Sequence, residues 1–198
     1  MNFGVHWSPP FVYKQSMDTR AFSCLTWIFF MSGTVFGQSA WQQKLHNDLR
    51  LLGHRNWIVI ADSAYPLQTA PGIETLHADM DQLRVARIVL DELAKVKHVK
   101  PIVFTDAELK YVAEKNAPGI SSYREELGKL LQSRSAQALP HEQIISRLDE
   151  AGKTFKVLLI KTPLTLPYTS IFLQLDCRYW SAEAEKELRS AMSNVAVK

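Results

Sequence analysis

The segment Trp57–Ala61 constrains the fold of this chain most, because it contains five consecutive apolar residues, three of them β-branched. A short apolar run bounded by turn-forming residues predicts a buried strand, and here Gly53 lies before the run and residues 62–66 form a turn-like sequence after it. Two polar residues flank this strand: His54 on its amino side and Asp62 on its carboxyl side. The ends of strands in α/β folds are common ligand sites, so both residues are candidate functional residues.

Strands and helices are predicted to alternate along the rest of the chain. Apolar residues recur at helical spacing in five segments: residues 40–52, 79–97, 123–132, 141–151 and 181–192. Further short apolar runs predict strands at residues 101–105, 155–161 and 170–175, and Asp106 can cap another helix that extends to residue 115. This alternation predicts a layered α/β domain.

The composition and net charge of the chain favour a globular domain and argue against a nucleic-acid-binding protein. The chain has 198 residues, of which 46% are hydrophobic and 22% are charged, as in globular domains rather than disordered chains. Its net charge is only +3, and its basic residues are interspersed with acidic ones instead of forming a stripe with aromatic residues. We therefore expect no nucleic-acid partner.

The first 37 residues differ in character from the remainder. Lys14 and Arg20 precede an uncharged apolar stretch at residues 21–31, and small residues such as Gly37 follow it. This layout is typical of a secretory signal peptide, and the stretch is short for a membrane span. We predict that residues 1–37 are an N-terminal extension with a signal peptide and that residues 38–198 form a single domain. The prediction implies export to a periplasm or the exterior, with no stable membrane insertion after cleavage. A buried N-terminal helix is the alternative.

His54 and Asp62 suggest acid/base chemistry. A histidine side chain can donate or accept a proton near neutral pH, and a carboxylate can orient it or bind a hydroxyl group. The alternative is that His54 is merely solvated after a helix-ending glycine and that Asp62 caps the next turn. The sequence has neither a glycine-rich phosphate loop nor a Cys/His cluster with metal-ligand spacing, and we expect no cofactor and no metal.

Three separated motifs resemble one known family. The stretch "LGHRNWIVIADSAYP" is similar to the signature of the D-ribose pyranase and L-fucose mutarotase family, in which Gly-His precedes an apolar strand that ends in Asp. Next, "PHEQIISRLDEAG" resembles the family segment in which His-Glu-Gln opens a helix. Finally, "YTSIFLQ" resembles its Tyr-x-Asn sequence before an apolar strand. Matching segments cover most of residues 45–175.

This resemblance implies a fold and an activity. The fold is a three-layer α/β/α domain with a central, mostly parallel sheet. The activity is interconversion of the ring or anomeric forms of a free aldose by acid/base opening of the hemiacetal, without a cofactor. Members of the family assemble into rings with sites between subunits, so a homo-oligomer is also implied.

The same resemblance implies roles for individual residues. His54 would be the acid/base residue, and the residues that bind the sugar would be Asp62, His141, Tyr168, Thr169 and Ser170. The chain departs from the family at Ser170, where Asn is usual, and this shorter side chain puts the identity of the sugar in question. Two alternatives remain open: a non-catalytic monosaccharide-binding protein on the same fold, and a structural assembly module.

Overall fold

The computed structural model describes residues 39–195, which contain one six-stranded sheet flanked by helices. The strands are β1 (Trp57–Ala61), β2 (Ile73–His77), β3 (Val99–Asp106), β4 (Gln137–Leu139), β5 (Val157–Lys161) and β6 (Ile171–Cys177). The helices are α1 (Ala40–Asp48), α2 (Gln82–Lys95), α3 (Ile120–Leu131), α4 (His141–Thr154) and α5 (Ala182–Val195), and a 3₁₀ helix (Ala107–Tyr111) follows β3. The predicted signal peptide lies outside the described residues.

The sheet is mostly parallel, as predicted. Its strand order is β2-β5-β1-β6-β3-β4. The pairs β2–β5, β5–β1 and β3–β4 are parallel, whereas β6 runs antiparallel to both of its neighbours, β1 and β3. Five strands therefore end at the same edge of the sheet, where β6 begins. We call this side the carboxyl edge and the opposite side the amino edge.

Helices cover both faces of the sheet, so the predicted three-layer architecture is confirmed. Alternate residues of a strand point to opposite faces, and in β1 Ile58 packs in one apolar cluster while Val59 packs in another. The first cluster contains apolar residues of α1, α2 and α3, and the second contains those of α4. Burial of β1 on both faces explains why its sequence is apolar throughout.

The observed elements differ from the predicted ones at three places. Strands β2 and β4 were not expected, and the helix predicted after Asp106 is only a 3₁₀ helix that ends at Tyr111. Both unexpected strands lie at the outer ends of the sheet; β2 is mostly half-buried, and β4 has two exposed residues and one half-buried residue. An edge strand has less contact with the core than a central one, so its apolar pattern is weak.

Candidate functional site

Residues from distant parts of the sequence meet at the carboxyl edge. Asp62 directly follows β1, Asp106 ends β3, and His141 opens α4 just after β4. Tyr168 and Ser170 lie just before β6, which starts at this edge because it is antiparallel. The topology therefore collects polar side chains in the crevice where α/β proteins usually bind ligands.

A cavity of about 350 Å³ opens among these segments. Its lining comprises Asp62, Ala64, Tyr65, Pro66, Gln68, His141, Glu142, Ile145, Pro167 and Tyr168. This volume lies near the lower end of the range for small-molecule sites, about 300–1,000 Å³. Three of the predicted site residues, Asp62, His141 and Tyr168, thus share one cavity, where a carboxylate, an imidazole and a phenol face apolar neighbours.

His141 is held at both its backbone and its ring. Its backbone N–H donates to the carboxylate of Glu108, with both oxygens at 3.1 Å. Its ring Nδ1 lies 3.0 Å from Oδ1 of Asp106, and its ring meets that of Tyr168 edge to face, with 5.7 Å between the centroids. The imidazole is therefore fixed in direction while remaining partly accessible from the cavity.

Asp106 is a buried carboxyl group that the sequence predicts only as a helix cap. Its side chain is 1% exposed, and its Oδ2 is buried without a hydrogen-bond partner. Burial raises the pKa of Asp106 to about 6, although the hydrogen bond from His141 acts in the opposite direction. The signal that could have identified it is an aspartate at the end of an apolar strand, the same signal that singled out Asp62.

Asp62 is fixed at both carboxylate oxygens. Its Oδ1 accepts the backbone N–H of Ala64 at 2.9 Å, as in an Asx turn. Its Oδ2 accepts the hydroxyl of Ser170 at 3.3 Å. Ser170 is buried behind Asp62 rather than among the residues that line the cavity, so its observed contact is with Asp62.

Thr169 supports the cavity from behind. It is fully buried, and its hydroxyl donates to the carbonyl of Leu166 at 2.8 Å. Its carbonyl accepts hydrogen bonds from Gln82 Nε2 at 2.6 Å and from the Tyr123 hydroxyl at 2.7 Å. The side chain of Thr169 therefore does not reach the cavity. Its backbone instead helps to hold the adjacent Tyr168, a non-glycine residue with a φ of 56°.

Gln82 is the centre of this supporting network, and the sequence did not indicate it. The amide is fully buried, its Nε2 lies 2.9 Å from the Tyr123 hydroxyl, and its Oε1 lies 2.9 Å from the Thr162 hydroxyl. Burial raises the pKa of Tyr123, which keeps its phenol a neutral donor. A glutamine on the apolar side of a predicted helix is the signal that could have indicated this role.

His54 lies at the amino edge, away from the cavity of its own chain. It is exposed in the turn before β1, whereas Asp62 follows β1 at the other edge. At about 3.3 Å per residue, the five-residue strand separates these edges by roughly 15 Å. The structure thus does not bring His54 together with Asp62, His141 and Tyr168 within one chain.

A larger cavity, about 610 Å³, lies at the amino edge. Arg55, Arg147 and Glu150 are among its lining residues, and Arg55 stacks over the ring of Phe155 at 4.2 Å. This cavity is the larger of the two, but its lining contains no histidine, the side chain best suited to acid/base chemistry near neutral pH. We therefore place the candidate site at the smaller cavity, where His141 lies against a buried carboxyl group.

Among residues 39–195, no group of three or more His, Cys, Asp or Glu residues is arranged to hold a metal ion. In the same part of the chain, no helix combines the length and the apolar character needed to cross a membrane.

Comparison with known proteins supports the resemblance carried by the three motifs. No relative was found among curated proteins. Among solved structures, RbsD of Bacillus subtilis complexed with D-ribose is 22% identical, with 69% of this chain and 91% of that chain covered at a TM-score of 0.47. The fucose mutarotase of Streptococcus pneumoniae in complex with L-fucose is 17% identical, with 66% and 89% covered at a TM-score of 0.45. The model of the RbsD / FucU transport protein family matches residues 38–177. This match spans well over half of the sequence, and the chain belongs to the RbsD / FucU transport protein family.

Proposed function

We propose that this protein is a sugar isomerase that interconverts the ring or anomeric forms of a free aldose by acid/base opening of the hemiacetal. The observation that carries the proposal is the convergence of Asp62, His141 and Tyr168 on one small cavity at the carboxyl edge. Membership of the RbsD / FucU family supports the same activity.

The chemistry of ring opening matches these side chains. A proton leaves the anomeric hydroxyl, the bond between C1 and the ring oxygen breaks, and the ring oxygen receives a proton. Closure on the other face of the carbonyl, or by another hydroxyl, reverses these steps, so no electron is transferred to another molecule. One positioned acid/base group typically accelerates such a reaction by about 10²- to 10⁴-fold.

Two side chains in the lining, those of Asp62 and Tyr168, are suited to binding the sugar. The carboxylate of Asp62 can accept hydrogen bonds from hydroxyl groups in addition to those that hold it in place. Tyr168 is 41% exposed, and its ring can pack against an apolar face of the sugar while its hydroxyl bonds to a sugar hydroxyl. These contacts are those expected of a small polyol site.

His54 is proposed to reach the cavity from a neighbouring copy of the chain. The amino edge, which carries His54, and the carboxyl edge, which carries the cavity, lie on opposite sides of the sheet. A head-to-tail contact that repeats from copy to copy would join these two edges and can close into a ring. The proposed enzyme is accordingly a homo-oligomer whose acid/base residue and sugar-binding residues come from different subunits.

The proposal also covers the sugar preference and the location of the protein. Ser170, in place of the usual Asn, supports a substrate preference different from that of common family members, because the shorter side chain hydrogen-bonds to Asp62. The layout of residues 1–37 supports an exported protein, periplasmic or secreted, that is not inserted in the membrane after cleavage.

The alternative is a non-catalytic monosaccharide-binding protein. The observation that favours it is the position of His54, since a single chain has the binding groups at one edge and this histidine at the other. Both functions predict sugar binding, so only the rate of exchange between ring forms separates them.

Magnetisation-exchange NMR of the purified protein with free aldoses tests the proposal. D-ribose and L-fucose come first in the panel because the solved relatives hold them. We expect faster exchange between anomeric protons, loss of this acceleration in His54→Ala, and retention in His46→Ala, which alters an exposed histidine of α1. Saturation transfer without faster exchange would instead establish the binding protein. Silence across the panel would contradict both functions.

A further inference from the structure

We propose that Asp106 is a positioning residue that holds His141 in the tautomer whose Nε2 lone pair faces the cavity, so that His141 accepts the proton of a sugar hydroxyl. The inference rests on the proposed function, because the tautomer affects a rate only if a reaction takes place in this cavity. It adds a proton acceptor from within the chain to the histidine supplied by a neighbouring copy.

The hydrogen bond between the two side chains determines the tautomer. Oδ1 of Asp106 lies 3.0 Å from Nδ1 of His141. An ionised carboxylate can only accept hydrogen bonds, so Nδ1 must carry the proton and donate it. In the neutral ring, Nε2 is then left with its lone pair. A histidine paired with a carboxylate in this manner is a recurring way to orient a general base.

Burial shows which side of the ring faces the cavity. Asp106 is 1% exposed, whereas the side chain of His141 is 31% exposed and lines the cavity. Since Nδ1 is directed at the buried carboxyl group, the accessible part of the ring is the side that carries Nε2. The ring cannot rotate freely, because Glu108 anchors the backbone N–H and Tyr168 packs against the ring at its edge. Such fixation reduces the reorganisation needed before proton transfer.

The burial of the Asp106 carboxyl group makes the free energy of folding less favourable, which is not expected of a residue with a purely structural role. A buried carboxyl group with one oxygen unpartnered is poorly compensated. Further acidic groups lie around it: Glu108 from the 3₁₀ helix and Asp62 from the loop after β1 both oppose its ionisation. Tyr65 and Glu142 also line the adjoining cavity. Residues that are unfavourable for the fold but paired with a titratable group occur frequently at functional sites.

The proton balance of the step is simple. The O–H bond of the anomeric hydroxyl breaks, an N–H bond forms at Nε2, which makes the imidazole cationic, and the electron pair left on that oxygen forms the second bond of the C1 carbonyl group. The electron pair of the bond between C1 and the ring oxygen goes to that oxygen, which receives a proton from His54 of the neighbouring copy. Asp106 stabilises the cation through a short contact in a buried environment, and closure of the ring returns both protons.

The tautomer can be measured without any activity. Long-range ¹H–¹⁵N NMR of histidine-labelled protein at pH 8 should show His141 protonated at Nδ1. In Asp106→Asn the amide can donate to Nδ1, so the proton should move to Nε2. Protonation of His141 at Nε2 in the unaltered protein, or an unchanged tautomer in Asp106→Asn, would overturn the proposal. The measurement on the unaltered protein remains decisive even if the variant does not fold.

Exchange measurements then connect the tautomer with the reaction. We expect Asp106→Asn to slow ring-form exchange by about 10²- to 10⁴-fold while changing sugar affinity little, because the wrong tautomer removes the general base. In a His141→Gln background, Asp106→Asn should cause no further loss, because its effect passes through His141. Asp176→Asn is the matched control, since Asp176 is half-exposed and lies 3.6 Å from Lys100.

The outcomes of these experiments distinguish a failure of the positioning role of Asp106 from a failure of the proposed sugar isomerase function. If the unaltered protein accelerates exchange and Asp106→Asn does so equally well, the role of Asp106 is wrong while the proposed function stands. If the unaltered protein accelerates no exchange, the proposed function fails, and the role of Asp106 in proton transfer fails with it. Equal losses from Asp106→Asn with and without His141 would also contradict the positioning role.

Discussion

The two edges of the sheet differ in how they hold their functional side chains. At the carboxyl edge, Asp62 and His141 are fixed by hydrogen bonds and enclose a cavity. At the amino edge, the backbone around His54 is fixed, since Arg55 N–H donates to Leu175 at 2.8 Å, but the His54 side chain is exposed. One edge is built to enclose a small molecule, and the other presents a side chain outward. This contrast is the basis of our proposal that the two edges are complementary halves of one site.

Co-expression of a variant of one edge with a variant of the other edge tests whether the two edges complement each other. The single variants in this experiment should show the largest loss of activity. His54→Ala and His141→Ala should each slow exchange by about 10²- to 10⁴-fold. When the two variants are co-expressed, random assembly should leave about a quarter of the sites with both intact halves, if each site joins two subunits. Magnetisation-exchange NMR would then show recovery of about that fraction of the activity.

Two carboxyl-edge variants provide the control for this mixing. Asp62→Ala and His141→Ala alter the same half of the site, so no mixed assembly contains an intact cavity. This pair should show no recovery. Equal recovery in both mixtures, or none in either, would contradict the assignment of the two edges to different subunits.

The second prediction concerns the rigidity of the carboxyl edge. Gln82→Ala removes hydrogen bonds to the Thr169 carbonyl and the Thr162 hydroxyl and leaves a void in a fully buried position. We expect a loss of about 2–4 kcal/mol in the free energy of unfolding, together with weaker sugar binding, because the segment that carries Tyr168 loses its support. Chemical denaturation and saturation transfer would measure the two effects.

Gln43→Ala is the matched control, since Gln43 is an exposed helical glutamine whose side chain donates to Asn47 at 3.4 Å. Its replacement should change stability by less than about 0.5 kcal/mol. If Gln82→Ala were equally harmless, the buried network could not be what distinguishes the carboxyl edge from the amino edge.

The sequence predicts the centre of this fold better than its periphery. Strand β1 agrees with its prediction residue for residue, because burial on both faces makes its sequence uniformly apolar. Strands β2 and β4 escaped prediction because edge strands carry only a weak apolar pattern. The helix predicted after Asp106 is shorter for a different reason: the side chain of Asp106 makes no capping hydrogen bond and pairs with His141 instead.

The candidate site was predictable where its residues lie in motifs. Asp62, His141 and Tyr168 belong to the three motifs and converge on the cavity. Asp106 and Gln82 act through contacts across 35 and 87 positions of sequence, respectively, and such contacts have no local pattern. The separation of His54 from Asp62 was visible in the sequence, since the two residues flank the same strand, whereas the approach of Tyr168 to Asp62 depends on the antiparallel direction of β6.

The buried carboxyl group of Asp106, at the carboxyl edge, should make the stability of the protein depend on pH. The pKa of Asp106 is raised from 3.8 to about 6 in the folded protein. The folded state therefore retains this proton more strongly than the unfolded state, and the stability contributed by Asp106 falls as the pH rises from about 4 to about 6. Asp106→Asn resembles the neutral form, so it should stabilise the protein by on the order of 2–3 kcal/mol at pH 8.

Denaturation at two pH values checks this prediction. The stability difference between Asp106→Asn and the unaltered protein should be present at pH 8 and should disappear below about pH 4, where Asp106 is protonated in both states. Asp176→Asn, at a half-exposed position, is the control variant measured at the same two pH values. A destabilising effect of Asp106→Asn at pH 8 would mean that the ionised carboxyl group supports the fold rather than burdening it.

The smallest expected effect comes from the hydroxyl behind Asp62. Ser170→Ala removes the 3.3 Å hydrogen bond to Oδ2 of Asp62, while the bond from Ala64 to Oδ1 remains. We expect a change in unfolding free energy below about 1 kcal/mol, since one hydrogen bond is lost and another still holds the carboxylate. Sugar affinity should fall only about two- to five-fold, equivalent to less than 1 kcal/mol. Ser122→Ala is the matched control, because Ser122 donates to a carboxylate at the same distance on an exposed helix surface. A loss of affinity far larger than five-fold would show that Ser170 contacts the sugar itself, and the carboxyl edge would then bind through a residue that now lies behind its cavity.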